Sequence, residues 1–172
     1  MDKPLLSIGI IFKNEIRCLE RCLQSLIPLR AAIPCELVMA DTGATDGSRE
    51  IAEKYADILI DFPWIDDFSA ARNAVMEHCS GEWHFCIDAD EWLDKNVTQL
   101  VNALKSPLTG YILCAVMIRN YSTQNLSGDY SDFLGVRLIR MSTGARYKGE
   151  IHEHFELEEA SVYGLGSTIL HH

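Results

Sequence analysis

The stretch WHFCIDADEW, residues 83–92, runs from an apolar segment straight into Asp88, Asp90 and Glu91. In an extended turn alternate residues project to one side, so Asp88 and Asp90, separated by Ala89, are placed to face a single cation. Hard carboxylate oxygens suit Mg²⁺ or Mn²⁺, which commonly bind one or two carboxylates and fill their shell with phosphate oxygens and water. A solvated acidic turn has the same composition. The position directly after an apolar run is what favours a site.

Four other stretches carry usable chemistry. In ADTGATDGS (40–48), Asp41 leaves an apolar run, Gly43 and Gly47 allow close backbone approach, and Asp46 or Ser48 suits a helix cap. A carboxylate there can accept from a ribose hydroxyl or a base N–H, although an ordinary strand-to-helix turn reads the same way. In DDFSAARN (66–73), Ser69 is placed as a cap and Arg72 falls near the first turn, a good arrangement for a phosphate. The competing assignment is a surface pair between Arg72 and Asp66 or Asp67. Lys13, Asn14 and Glu15 follow the first apolar run. In YKGEIHEHFE (147–156), His152 and His154 share a face if the segment is extended, and either offers a nitrogen ligand. Glu153 between them is a candidate base, and no closed zinc pattern is present.

The elements that must position these groups follow from hydrophobic periodicity. LLSIGII (5–11), ELVMA (36–40), ILI (58–60) and WHFCI (83–87) read as strands. Between them, Ile16, Leu19, Leu23 and Leu26 form one helical stripe, TDGSREIAEKYA opens a second helix, and Phe68, Ala71, Val75 and Cys79 form another stripe. Such alternation implies a parallel sheet covered on both faces, with ligands bound outside the carboxyl ends of the strands. Asp41 and Asp88 then share one sheet edge. Further on, VTQLVNAL reads as a helix, YILCAVMI (111–118) and GVRLIR (135–140) as strands, and the polar 119–132 segment as a mobile loop. The sequence stops at TILHH after a strand signal, as a piece of a longer chain or a tag remnant would.

With 172 residues and 48% apolar content, a single ordered domain over 1–172 is expected. The net charge of −10 argues against nucleic acid or anionic lipid as the main partner. Small anions held by a metal or a few cations remain open. The six cysteines form no CxxC pair and read as reduced thiols of a cytosolic protein, Cys18 and Cys22 being one helical turn apart. There is no convincing leader and no run near the roughly 20 apolar residues of a membrane span, so a soluble chain is expected.

SIGIIFKNE, DTGATDGS, FSAARN, DADEW and GEIHEHF, in that order, resemble the family 2 glycosyltransferases, and especially bacterial members that build surface polysaccharide or lipopolysaccharide. The resemblance covers about residues 5–155. It implies an α/β GT-A (Rossmann-like) fold, with a mostly parallel central sheet, helices on both faces and a smaller C-terminal antiparallel portion. Residues 1–95 would form the nucleotide-sugar half and 96–172 the acceptor half. The implied reaction is inverting transfer of a sugar from a nucleotide diphosphate donor, usually a UDP-sugar, to a glycan, lipid-linked or other hydroxyl acceptor. By position, Asp41 would contact the uracil or ribose, and Lys13 and Arg72 the nucleotide or diphosphate. Asn14, Glu15, Gly43, Asp46 and Ala89 belong to the same donor site. Asp88 and Asp90 would be the Asp-x-Asp pair holding Mg²⁺ or Mn²⁺, with Asp90 the direct ligand and His152 or His171 completing the shell. For the base, Glu153 is the first choice, with Asp132 and Glu91 as alternatives, because the family's Glu-Asp pair is His-Glu here. The resemblance places the domain in the cytoplasm, at the inner face of the membrane when the acceptor is lipid-linked.

Three rivals share parts of this pattern. A nucleotidyltransferase would carry a glycine-rich basic loop where FKNE stands. A dehalogenase-type phosphatase places Asp-x-Asp after the first strand, whereas here it follows the fourth. A non-catalytic nucleotide-sugar-binding module would bind donor without turnover.

Overall fold

The apolar run at the start of the chain becomes β1 (Leu6–Phe12), buried on both faces apart from half-buried Ile11. It can be so because its neighbours cover it completely. The computed structural model describes residues 3–106, 108, 110–121, 129–157 and 160–172. Parallel strands β2 (Cys35–Asp41) and β4 (Trp83–Cys86) flank β1, and β3 (Ile58–Asp61) lies parallel outside β2. The sheet continues through β7 (Tyr130–Arg140), β6 (Leu113–Tyr121), β10 (Val162–His171) and β5 (Trp92–Leu93), giving the order β3-β2-β1-β4-β7-β6-β10-β5. Strand β7 is antiparallel to β4 and β6, β10 is parallel to β6, and β5 is antiparallel to β10. Two short strands, β8 (Tyr147–Lys148) and β9 (His154–Phe155), pair separately.

Helices cover both faces. On one, Leu6, Ile8, Ile10 and Phe12 of β1 pack in the same cluster as Leu19 and Leu23 of α1 (Leu19–Ser25), Leu29 of α2 (Ile27–Ala32), Ala52 of α3 (Ser48–Ala52) and Leu100 and Leu104 of α5 (Thr98–Lys105). On the other, Val75 of α4 (Phe68–Glu77) packs with Val38 and Ala40 of β2. Burying each such side chain is worth about 1.5–3 kcal/mol.

Several expected details shift. The first helical stripe begins at Leu19, not Ile16, which is exposed, and the helix gives way to α2 with Pro28 in its first turn. Helix α4 is capped by Asp67, whose carboxylate accepts from the Ala70 N–H at 2.9 Å, and Ser69 donates to that carboxylate instead of capping. Phe68 leaves the buried stripe and is exposed. The expected loop at 119–132 has ordered ends: Arg119 pairs with Asp132, Asn120 with Ser131 and Tyr121 with Tyr130. The described ends of this polar segment are solvent-facing extensions of β6 and β7. Residues 122–128 lie outside the described residues.

Gly9 is where α4 meets the sheet. A Cβ there would sit 2.9 Å from Val75 Cγ1 and still closer to the His84 ring, and both side chains are buried. Neither has room to yield, so the absent side chain sets how closely α4 can approach β1. Gly9→Ala is expected to destabilise the fold by about 1–3 kcal/mol through overpacking, read from urea denaturation. Wild-type stability in that variant would show that the contact is not tight.

Candidate active site

Because β1, β2 and β4 are parallel, their carboxyl ends open on the same edge. A cleft of about 540 Å³ lies there, lined by Phe12, Lys13, Glu15 and Thr42 from the first two strand ends and by Asp88, Ala89 and Asp90 after the fourth. Arg72 and Phe68 of α4, Trp64, the Ile151–Glu153 segment and the final His172 complete it.

The two loops on the β1–β2 side lock each other. Asn14, in the left-handed region at φ 56°, accepts the Thr45 N–H at 2.8 Å. Asp46 accepts the Ile16 N–H at 3.0 Å and the Ser48 N–H at 2.9 Å, and the Glu15 N–H bonds Ser48 Oγ at 2.8 Å. Asn14 and Asp46 thus brace the rim, and Lys13 and Glu15 face the cleft. Asp41 is 6% exposed and outside the lining. It accepts the N–H groups of Gly43 (2.9 Å) and Ala44 (2.7 Å) and pairs with Arg49 at 3.0 Å. Burial opposes its ionisation, but these donors outweigh it and hold the carboxyl below its usual range. Thr42, the next residue, is the one that reaches the lining.

At the end of β4 the three acids are sorted. Asp88 Oδ1 receives Arg72 at 2.7 Å, and Oδ2 receives Arg137, from β7, at 3.3 Å. Burial alone would raise the Asp88 pKa, but the two guanidinium groups hold it below the usual range. Glu91, 2% exposed, turns inward, accepts the Asp88 N–H at 2.9 Å and pairs with Arg137 at 2.5 Å. Its pKa is raised, chiefly by burial, against the pull of Arg137. Asp90 points the other way, and its Oδ2 lies 3.2 Å from His172 Nε2. Burial together with Asp90 and Asp46 raises the neighbouring Glu15 pKa.

Arg72 is 7% exposed and meets Asp88, Glu153 and the Cys86 sulfur. The expected alternative, a surface pair with Asp66 or Asp67, does not form. Glu153 lines the cleft, ion-paired to Arg72. The other two candidate bases are elsewhere: Glu91 is sequestered, and Asp132 is held by Arg119 at 2.7 and 2.8 Å on the outer hairpin, away from the cleft lining. His152 does not extend alongside His154. It adopts φ 60°, which breaks the alternation, and no hydrogen bond or ion pair joins it to Asp88 or Asp90 among the described residues. His171 is stacked on Trp92, 5.0 Å between centroids, and its Nε2 lies 3.4 Å from Asp94. All six cysteines are free thiols.

Among the described residues no three His, Cys, Asp or Glu side chains converge as a metal site. The protein supplies one oxygen and one nitrogen donor side by side, Asp90 and His172. One carboxylate oxygen and one imidazole nitrogen can ligate a first-row divalent ion such as Mn²⁺, its shell completed by phosphate oxygens and water. Sequence reasoning missed His172 and Arg137. For Arg137 a signal existed, a lone cation in the apolar strand GVRLIR; nothing singled out the last histidine.

The cleft lies at the carboxyl edge of the parallel strands of an α/β sheet, and a family model described as "Glycosyl transferase family 2" matches residues 7–163. The chain belongs to that family. It is 36% identical over 109 residues to the lipopolysaccharide core biosynthesis glycosyltransferase LpsC of Rhizobium meliloti, covering 60% of this chain and 38% of LpsC. Among solved structures, S. aureus TarS in complex with UDP-GlcNAc superposes with a TM-score of 0.69 at 14% identity, over 97% of this chain and 58% of TarS. The mannosyltransferase PcManGT from Pyrobaculum calidifontis, in complex with GDP-Man and Mn²⁺, does so at 0.70 and 16%, over 100% and 57%. The fold is therefore GT-A. The chain spans little more than a third of the length of several curated relatives, LpsC among them. Among the described residues no helix is long and apolar enough to cross a membrane.

Beneath the cleft, His84 is fully buried against the Cys79 sulfur at 3.6 Å. Burial, aided by Arg72, pushes its pKa down to about 3. An unfolded chain takes up this proton below about pH 6.5 and the folded chain does not, so stability is present above that pH and is lost as pH falls toward 3. Between pH 7 and 5 the loss from this one group is about 2 kcal/mol. Urea denaturation of His84→Gln should show a correspondingly smaller loss than wild type, and equal losses would contradict the assignment.

Proposed function

We propose that the cleft binds a nucleotide diphosphate sugar, with a UDP-sugar the first candidate, and transfers the sugar with inversion to an acceptor hydroxyl. The observation that carries this reading is the pairing of Asp90 with His172 at the mouth of a cleft that also holds Lys13 and Arg72. In an acidic chain Lys13 and an ion held at Asp90 and His172 would give a diphosphate its cationic surroundings, the Arg72 charge being met by Asp88 and Glu153. The UDP-GlcNAc bound by TarS and the GDP-Man and Mn²⁺ bound by PcManGT support the donor class and the ion. The name of LpsC supports a role in cell-surface glycan synthesis.

Asp90 and His172 are the residues that would hold Mg²⁺ or Mn²⁺, which when bound supplies a Lewis acid for the departing diphosphate. Asp88 is the arginine-paired member of the Asp-x-Asp pair: its oxygens are engaged by Arg72 and Arg137, and it fixes the turn that presents Asp90. Lys13 contributes a positive charge at the donor side of the cleft, and Thr42 and Phe12 line the space left for the nucleoside. Glu153 is the general base. It takes the proton of the acceptor hydroxyl as the acceptor oxygen bonds the anomeric carbon and the bond from that carbon to the diphosphate oxygen breaks. Arg72 keeps this carboxylate oriented.

The test is thermal stabilisation by UDP and GDP with Mn²⁺ or with EDTA, because a ligand that binds only the folded state raises its melting temperature. Stabilisation is expected only with metal present. Asp90→Ala and His172→Ala should each weaken nucleotide binding by at least the about 10- to 100-fold that even an outer-shell loss costs. Equal stabilisation in EDTA would overturn the metal reading. Glu153→Gln should retain donor binding while sugar transfer or donor hydrolysis falls by about 10²–10⁴-fold. Unchanged turnover would remove Glu153 from the base role.

A further inference from the structure

A second concavity meets the cleft at Asp90 and His172. This groove, about 590 Å³, is lined by those two residues together with Arg21, Trp92 and Tyr121, none of which lines the cleft. The Trp92 and Tyr121 rings are nearly parallel, 5° apart, with centroids separated by 6.0 Å. His171 lies within 10° of both planes and holds them together, with Nδ1 2.9 Å from the Tyr121 hydroxyl and Nε2 3.4 Å from Asp94. The panel therefore draws on β5, β6 and β10, and its orientation is set by the sheet. The Arg21 guanidinium lies 3.5 Å from the Trp92 ring centre and makes no ion pair among the described residues. Tyr121 nevertheless stays 42% exposed.

Arg21 covers a face of Trp92, so the ring left open to water is Tyr121; that ring, beside the Arg21 N–H donors and a carboxylate, matches a ligand with one apolar C–H face and a hydroxylated edge. A pyranose ring has that chemistry: its C–H face lies on aromatic rings and its hydroxyls bond to charged groups at the border. A phosphate would gain nothing from the rings, and a purely apolar partner would leave Arg21 and Asp90 unsatisfied. The geometry points to this groove as the acceptor subsite, taking a pyranosyl unit of a glycan on the Tyr121 ring, beside the Arg21-capped Trp92. Its hydroxyls meet Arg21 and the outer edge of Asp90, and its reacting hydroxyl turns across Asp90 into the cleft. The assignment rests on the transfer reading above, which puts the diphosphate end of the donor at Asp90 and His172. It identifies the acceptor as a sugar and Tyr121, bordered by Trp92 and Arg21, as the residue that selects it.

The experiment uses saturation-transfer NMR on the whole chain with methyl β-glucopyranoside, methyl β-galactopyranoside and methyl N-acetyl-β-glucosaminide, each with and without UDP and Mn²⁺. At least one glycoside should bind. Its affinity should fall by about three- to tenfold in Tyr121→Ala, the loss expected for one ring contact, and persist in Tyr121→Phe. In ¹⁵N spectra the Trp92 indole N–H should move on glycoside addition, the buried Trp83 should not, and UDP binding should be equal in all variants. The subsite is overturned if no glycoside binds to protein that binds UDP, if Tyr121→Ala binds as wild type does, or if uridine displaces the glycoside and marks the groove as a base site. If UDP fails to bind, the donor reading falls, and the nucleotide-free titration still decides whether the groove takes a sugar.

Discussion

Two guanidinium groups, Arg72 from α4 and Arg137 from β7, converge on the single carboxylate of Asp88 at the end of β4. Arg72 is 7% exposed, and a charge so removed from water is tolerable only when paired. Removing one partner of such an arrangement typically costs about 3–5 kcal/mol, because the remaining charge is stranded. The constraint propagates outward. Glu91 must turn inward to share Arg137 and to accept the Asp88 N–H, which closes the turn and leaves Asp90, of the three acids, paired with His172 and not with an arginine. On the other side, the spare valence of Arg72 draws Glu153 to the cleft from more than seventy positions away in sequence.

The site is consequently a product of the whole chain. The first strands give the edge and the interlocked Asn14–Thr45 and Asp46–Ile16 contacts that shape its rim. The antiparallel strands bring Arg137, and the last strand delivers His172 beside Asp90 and His171 beneath Trp92. One eight-stranded sheet runs from β3 to β5, so the cleft and the aromatic groove share a wall and keep a fixed relation to each other.

The parallel part of this arrangement was legible because it is encoded locally. Continuous apolar runs made the strands, three- and four-residue spacing made the helices, and the edge rule placed Lys13, Arg72, Asp88 and Asp90 at one opening. What was not legible depends on pairing across the chain. Nothing in the DADEW stretch distinguishes the acids that pair with arginine from the one that does not. That division is made by Arg137, forty-six positions later. The alternation in IHEHF suggested paired histidines, but a left-handed residue at His152 breaks it. Asp41 was read as a ligand contact, and its carboxylate is spent on its own loop, with Thr42 at the lining instead. The polar 119–132 segment looked like a loop because its strand ends face water.

The central claim is that Asp90 and His172 would together hold a divalent ion that supplies a Lewis acid for a nucleoside diphosphate, with Asp88 held by its arginines. Electron paramagnetic resonance of Mn²⁺ titrated into the protein with UDP tests it directly. The sharp spectrum of the free aqua ion should disappear as a ternary complex forms, ¹⁵N label confined to histidine should add a coupling to the bound ion, and His172→Ala should remove that coupling. A free-ion spectrum that persists with UDP present, or a histidine coupling that survives in His172→Ala, would contradict the account.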